Sequence, residues 1–324
     1  MPNRAAPGWR KAAARIPAVD RALRRLRRSD EIAALQQELA RRIEVDEGCR
    51  PFLTWRPPGH YYSPVPNLHD IRDRADRIFR PTGHLDGLDL NAQAQLELFK
   101  TLAPLANDVA FNVRAEPDQR YYLDNPSYGI GDASIAQAFL RHLHPRRYLE
   151  VGSGWTTALA LDTNDRWLQG RMHVTCIEPY PHDLRKLLRP GDDVEIIEHP
   201  VQDVPLHRFT ELERDDILFI DCSHVVRTGS DAHHLITRVL PAVPSGVYVH
   251  LHDMFWPFEY PRSWVDEGRA WSEAYLLHAF LLFNSAFEIA LFNDWVAYEH
   301  RDLMVNEVPA MSASPGGALW LRRR

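Results

Sequence analysis

The chain has 324 residues, of which 45% are hydrophobic and 25% charged, the ordinary balance of a globular protein with a sizeable core. Its net charge of −6 excludes a global field that attracts polyanions. No apolar run approaches the roughly 20 residues of a membrane helix, and the basic N-terminus lacks the apolar stretch of a signal peptide. Cys49, Cys176 and Cys222 are too widely spaced for a metal motif or a disulfide framework. We therefore expect a cytoplasmic protein without a membrane span.

The first 45 residues are rich in arginine and predict a helical N-terminal arm. Ile32, Leu35, Leu39 and Ile43 recur at helical spacing, which is typical of a helix that docks on its own domain. Self-association into a homo-oligomer is the alternative. An arginine cluster suits a nucleic acid or an anionic membrane surface, but a solvated helix face is the commoner arrangement. We therefore do not expect a nucleic acid partner.

Residues 46–132 predict a second region of helix and irregular loop that covers the functional site. Its first part, over 50–80, is rich in proline and aromatic residues and predicts an ordered loop. The stretch 89–112 has leucine and phenylalanine at helical spacing. The sequence therefore predicts three parts: an arm over 1–45, this region, and a catalytic domain over 133–324.

From residue 133 onward, short β-branched strands alternate with helices, which indicates a parallel sheet covered on both faces. The last two strand candidates are separated by a longer loop without an obvious helix, so they are expected to form an antiparallel hairpin at one edge. The fold prediction is a Rossmann-like α/β domain with a seven-stranded, mostly parallel sheet, an antiparallel C-terminal hairpin and a helical or irregular N-terminal region. The strand candidates are RYLEVG, HVTCIE, VEIIEH, DILFID, VYVHLHD, FEIALF and GGALWLRRR.

A glycine turn follows the first of these strands and contains Glu150, Gly152, Ser153 and Gly154. Glycines at a strand-to-helix turn let the backbone approach a ligand without an intervening Cβ. The third glycine of a dinucleotide fingerprint is replaced by Thr157, which argues against a bound pyrophosphate. Glu150 is expected either to orient the loop or to meet an ammonium group of the ligand.

Polar residues also follow the second and third strands. Glu178 ends the second strand, where a carboxylate accepts hydrogen bonds from both ribose hydroxyls of an adenosine cofactor. Gln202 and Asp203 follow the third strand and are expected at the adenine edge. These residues, in this order, predict an adenosine-containing cofactor.

Several segments together resemble the class I S-adenosylmethionine-dependent methyltransferases of the methyltransferase-24 type. They are LEVGSGWTTALAL, TCIEPYP, QDVP, DILFIDCSHVVRTGSD and VYVHLHDMFWPFEYP, and the resemblance covers nearly everything after residue 55. It implies S-adenosyl-L-methionine as the cofactor, and we place Asp221 with the cofactor-binding residues. It also implies a small-molecule or glycan acceptor, because relatives often methylate hydroxyls on sugars or natural products.

The fourth and fifth strands end in polar residues that are candidates for catalysis. Asp221, His252 and Asp253 resemble the set that holds a divalent ion, Mg²⁺ or Mn²⁺, in metal-dependent O-methyltransferases. An imidazole suits transition metals better than Mg²⁺. The competing interpretation makes His252 or His224 a direct general base, with Asp253 beside it. In a third interpretation, these side chains only form hydrogen bonds that hold loops together.

The sequence thus predicts an S-adenosylmethionine-dependent O-methyltransferase. An N-methyltransferase acting on an amine or a nucleic acid base, and a non-catalytic cofactor-binding domain, are the alternatives. The segment 255–261, with Trp264 and Trp271, supplies aromatic rings that suit a sugar or a planar acceptor.

Overall fold

The structure is a computed structural model that describes residues 46–80, 82–109 and 111–324, so the predicted arm over 1–45 lies outside the described residues. The chain divides into two compact units, Met1–Asp70 and Ile71–Arg324. In the first unit, the described residues form a helical segment over 46–55 followed by turns. Within the described ranges, no helix is long and apolar enough to cross a membrane. The three-part division and the cytoplasmic location stay predictions.

The second unit contains a sheet of seven strands. They are β1 Arg147–Val151, β2 His173–Ile177, β3 Val194–Ile197, β4 Ile217–Ile220, β5 Tyr248–Leu251, β6 Phe287–Phe292 and β7 Leu319–Arg323. Their order is β3-β2-β1-β4-β5-β7-β6. Strands β1 to β5 pair in parallel, and β7 is antiparallel to both of its neighbours. The predicted seven-stranded sheet with its antiparallel C-terminal pair is confirmed.

Besides the segment over 46–55, the described residues form further helices, several of which connect the strands. They are α1 Leu68–Asp73, α2 Ala75–Ile78, α3 Ala92–Asn107, α4 Ile130–Leu143, α5 Trp155–Trp167, α6 His182–Leu187, α7 His207–Thr210, α8 Asp231–His234, α9 Arg262–Asp266, α10 Glu273–Leu281, α11 Asn293–Glu299 and α12 Arg301–Glu307. A π-helical turn, Leu235–Val239, continues α8, and 3₁₀ turns occur at Val201–Asp203, Leu240–Ala242 and Pro309–Ser312.

The connection between β6 and β7 differs from the prediction. It contains α11, α12 and a 3₁₀ turn, where the sequence predicted a loop without an obvious helix. Each of the two helices has seven residues, which is too short to show a clear helical period in the sequence. The two strands nevertheless pair antiparallel, and β7 lies between β5 and β6.

The centre of the sheet explains where the site lies. Every residue of β4 and β5 is buried, as expected for central strands covered by helices on both faces. Strand β1 pairs with β2 on one side and β4 on the other, so successive connections leave β1 in opposite directions. In such a sheet the crevice opens at the carboxyl ends of the strands on either side of this switch point. Gly152, Glu178 and Asp221, at the ends of β1, β2 and β4, line cavities there.

Candidate functional site

The glycine turn after β1 packs against the end of β4. Gly152 has a φ of +76°, and a Cβ at this position would lie 1.8 Å from the carbonyl oxygen of Asp221. Both the positive φ and this close approach require glycine. A Cβ at Gly154 would meet nothing within 4 Å. The first glycine therefore allows the turn, and the second borders open space.

Two adjoining cavities, of about 530 Å³ and 650 Å³, open at these strand ends. Gly152, Glu178 and Asp221 line both of them, which makes the cavities parts of one site. Their size is that of ordinary small-molecule sites. Six of the eight predicted cofactor-binding residues line one or both cavities: Gly152, Ser153, Gly154, Glu178, Gln202 and Asp221.

Glu178 and Gln202 are held by their own neighbours. Glu178 accepts a hydrogen bond from the backbone N–H of Tyr180 at 2.8 Å and a longer one from Ser153 at 3.4 Å. The Gln202 amide donates from Nε2 to the carbonyl oxygen of Gly229 at 2.7 Å. Its Oε1 is buried and has no hydrogen-bond partner among the described residues. The hydrogen bond to Gly229 therefore fixes the Gln202 side chain at the wall of the second cavity.

Two predicted cofactor contacts lie elsewhere. Glu150 is fully buried and accepts hydrogen bonds from the hydroxyls of Thr156 and Thr157. Burial raises the pKa of its carboxyl to about 8, although both hydroxyl bonds oppose that shift. Of its two predicted roles, orienting the loop fits this position, whereas meeting a ligand does not, because the side chain points into the layer between β1 and α5. Asp203 is exposed in a 3₁₀ turn and lines neither cavity.

The three predicted metal ligands converge at the ends of β4 and β5. Asp221, His252 and Asp253 each bring one ligand atom to within 4.8 Å of the others. Nδ1 of His252 lies 3.6 Å from Oδ1 of Asp221 and 3.4 Å from Oδ1 of Asp253. Residues from separate strands thus present two carboxylates and one imidazole to a common point.

His252 is almost completely buried, at 6% exposure, and lines neither cavity. Its Nε2 faces Oδ2 of Asp132 at 3.5 Å, and neither ring nitrogen makes a hydrogen bond of good geometry within the described part of the chain. Burial lowers the pKa of this imidazole, but the charge of Asp221 and the contacts with Asp132 and Asp253 outweigh burial and raise it well above the ordinary value. A buried imidazole that is held protonated is poorly suited to act as a direct general base.

His224 has a similar environment. Its Nδ1 hydrogen-bonds Oε2 of Glu273 at 2.9 Å, and its Nε2 lies 3.3 Å from Asp221 and 3.4 Å from Asp253. Burial opposes protonation, yet the bonds with Asp221 and Glu273 raise the pKa of His224 to about 10. The two histidines in turn lower the pKa of Asp221 despite its burial. The direct-base interpretation therefore loses support for both histidines.

The sequence did not single out Asp132 or Glu273, the two carboxylates behind these histidines. Asp132 lies in the first turn of α4, and Glu273 is the first residue of α10. Both are acidic residues where helices commonly begin, so their local sequence is uninformative. Only their burial, at 6% and 1% exposure, identifies them as parts of the cluster.

The aromatic segment after β5 is already engaged within the protein. The guanidinium of Arg269 lies 4.2 Å from the ring centre of Trp264 and 5.2 Å from that of Trp271. Trp271 also packs on the ring of His224, with centroids 4.5 Å apart, and Trp256 donates its Nε1–H to the carbonyl oxygen of Thr82. These contacts hold the segment in place beside the cluster.

Comparison with known proteins identifies the same region. Residues 149–254 match a family model described as a methyltransferase domain. An uncharacterized protein of Archaeoglobus fulgidus is 35% identical over 168 residues, which make up 50% of this chain and 75% of that protein.

Solved structures also align with the chain. A Podospora anserina methyltransferase bound to S-adenosylhomocysteine aligns over 80% of this chain and 98% of its own, with 16% identity and a TM-score of 0.41. The plantazolicin methyltransferase BpumL, solved with S-adenosylhomocysteine and a triazolic analog, aligns over 73% of this chain and 100% of its own, with 12% identity and a TM-score of 0.35.

The matched residues begin in β1, just before the glycine turn, and end directly after Asp253. The match to the archaeal relative, at 35% identity, covers 75% of that protein. The chain belongs to the methyltransferase-24 family of class I S-adenosylmethionine-dependent methyltransferases.

Proposed function

We propose that this methyltransferase transfers the methyl group of S-adenosylmethionine to a hydroxyl oxygen of a small-molecule or glycan acceptor, with a divalent cation at Asp221, His252 and Asp253. The observation that carries the proposal is the buried imidazole of His252. Its Nδ1 faces two carboxylates without a hydrogen bond of good geometry in the described residues. Orphaned buried polar atoms are costly, and a shared cation would satisfy all three groups.

The cofactor would occupy the cavities beside the glycine turn. The Glu178 carboxylate lines both cavities and suits the two ribose hydroxyls. Gln202 lines the second cavity and would lie at the adenine edge. Asp221 also lines both cavities and belongs to the polar cluster, which would bring the reacting methyl group close to the cation site.

The donor set and its charge fit a divalent cation. Asp132, Asp221, Asp253 and Glu273 surround the two imidazoles, so carboxylates outnumber imidazoles, and a cation at Nδ1 of His252 would replace the proton on that nitrogen. Carboxylate oxygens with one imidazole nitrogen favour Mn²⁺ or another transition ion over Mg²⁺. Asp221, His252 and Asp253 would hold such a cation, which would supply the Lewis acidity that lowers the pKa of an acceptor hydroxyl.

The protein itself would mainly position the reactants. Methyl transfer is an in-line displacement at a sulfonium that is already activated, so alignment of the acceptor oxygen with the methyl group accounts for much of the rate. Asp221 remains charged because the histidines lower its pKa. A charged Asp221 could bind a cation while it also lines the cavities for the cofactor.

The test begins with protein stripped of metal by a chelator and checked by metal analysis. It is assayed for S-adenosylhomocysteine release on matched panels of catechols, monosaccharides and amines. We expect release with hydroxyl acceptors only after Mn²⁺ is added, with Mg²⁺ less effective. Full activity in verified metal-free protein would overturn the cation site, and methylation of amines alone would overturn hydroxyl transfer. Cofactor binding without turnover on any acceptor would favour a non-catalytic domain.

A further inference from the structure

Behind each histidine of the polar cluster lies a buried carboxylate. Asp132 accepts hydrogen bonds from the Gly317 backbone at 3.1 Å and from Nδ2 of Asn293 at 3.2 Å. Glu273 accepts from Nδ1 of His224 at 2.9 Å and from Sγ of Cys222 at 3.3 Å. Asp132 is therefore held by groups outside the cation site, whereas Glu273 is held by His224 and Cys222.

The orientation of Asp132 is tightly determined. A Cβ at Gly316, whose φ is +85°, would lie 2.1 Å from its carboxylate. The backbone at Gly316 and Gly317 thus closes around the side chain, and the carboxylate has little room to rotate. Its Oδ2 is directed at Nε2 of His252, which leaves Nδ1 facing the two aspartates.

The two histidines face different oxygens of Asp253 but the same oxygen, Oδ1, of Asp221, which lies 3.3 Å from Nε2 of His224 and 3.6 Å from Nδ1 of His252. His252 uses Nδ1 and faces Oδ1 of Asp253 at 3.4 Å. His224 uses Nε2 and faces Oδ2 of Asp253 at 3.4 Å. His224 stands outside the group of three whose ligand atoms lie within 4.8 Å of one another. The two histidines therefore differ in position relative to the cation site: His252 belongs to the group of three, and His224 lies beside it.

Resting on the proposed cation site, we infer that Asp132 and Glu273 are positioning residues with distinct tasks. Asp132 orients His252 so that Nδ1 is available as a ligand. Glu273 orients His224 so that its Nε2–H faces Oδ1 of Asp221 and Oδ2 of Asp253 together and holds the two ligating carboxylates in place. Carboxylates behind metal-bound histidines fix the tautomer and the ring orientation in this way, and partners of ligating carboxylates fix the orientation of those carboxylates.

The first arm of the test measures Mn²⁺ binding by calorimetry in Asp132→Asn. Loss of such an outer carboxylate typically weakens metal binding by about 10- to 100-fold, and we expect a Kd increase of that size. The matched control is Asp294→Asn, a half-buried carboxyl that accepts from the Trp256 N–H and has no hydrogen bond with either histidine. We expect its Mn²⁺ affinity, and S-adenosylhomocysteine affinity in both variants, to stay within about twofold of wild type.

The second arm tests Glu273 through its histidine, and it does not depend on the folding of Asp132→Asn. Glu273→Gln should weaken Mn²⁺ binding, whereas the same change in a His224→Asn background should cost nothing further. Asparagine is chosen because His224 has a φ of +58°, a conformation that asparagine tolerates.

The outcomes separate the two proposals. Wild-type protein that binds no Mn²⁺ would refute the cation site itself. Wild-type binding that is unchanged in Asp132→Asn, or equal losses from Glu273→Gln with and without His224, would overturn the positioning roles while leaving the cation site intact. Parallel losses of Mn²⁺ and S-adenosylhomocysteine binding would show a general structural role and would also overturn the inference.

Discussion

The two halves of the site are built in different ways. At the ends of β1, β2 and β3, single polar groups line open cavities and are held by backbone groups, as the N–H of Tyr180 holds Glu178 and the carbonyl of Gly229 holds Gln202. At the ends of β4 and β5, several titratable groups lie together, most of them buried, and their partners come from distant elements. Asp132 of α4 meets His252 after β5, and Glu273 of α10 meets His224 after β4.

This contrast has an electrostatic cause. A single carboxylate beside a cavity keeps much of its hydration, so Glu178 needs only backbone donors to hold it. A buried group of carboxylates is costly unless opposite charges compensate it, so the second half requires imidazoles or a cation. We expect the first half to govern cofactor affinity and the second half to govern turnover, and the following variants test that division.

The largest effect is expected for Asp253→Asn. Asp253 has a φ of +57°, so asparagine preserves both shape and backbone while removing the charge. Loss of a metal-ligating carboxylate should lower turnover by about 10²–10⁴-fold, with S-adenosylhomocysteine affinity unchanged within about twofold. Steady-state rates and calorimetry measure the two quantities. A comparable loss of cofactor affinity would break the division between the halves.

A smaller effect, on cofactor affinity and not on turnover, is expected for Glu178→Ala. Hydrogen bonds to a charged group contribute about 1.5–3 kcal/mol, so affinity for S-adenosylmethionine should fall roughly 10- to 150-fold. Turnover at saturating cofactor should remain close to wild type, because the polar cluster is untouched. Unchanged affinity in a folded Glu178→Ala protein, checked by its melting temperature, would contradict the assignment of the ribose site.

The smallest effect concerns Glu150, the buried carboxyl beneath the glycine turn. Its pKa is about 8 in the folded protein against 4.5 ordinarily, so unfolding releases its proton between these values and stability falls as pH rises through this window. Glu150→Gln cannot ionise. Its stability relative to wild type should therefore increase by about 2 kcal/mol from pH 6 to pH 8, as measured by thermal unfolding. A difference independent of pH would show that Glu150 is ionised in the folded protein.

Much of the fold and of the cofactor half could be predicted from the sequence. Strands of β-branched residues, a glycine pair at a turn and an acid at the end of β2 are local patterns. Topology then brings strand ends to one edge of the sheet, which is why Gly152, Glu178 and Gln202 were predicted as a group and lie together. Glu150 belongs to the same motif, but whether it faces a ligand or the core depends on side-chain direction within the packed layer.

The sequence by itself determined the α/β architecture, the glycine turn and the identity of the three residues that converge after β4 and β5. Tertiary structure alone decided that Asp132 and Glu273 stand behind His252 and His224, because α4 and α10 are brought to the strand ends only by packing on the sheet. It also decided that Asp203 stays outside the cavities. Residue type and order fix the strand ends, whereas burial and charge compensation depend on contacts between segments far apart in the chain.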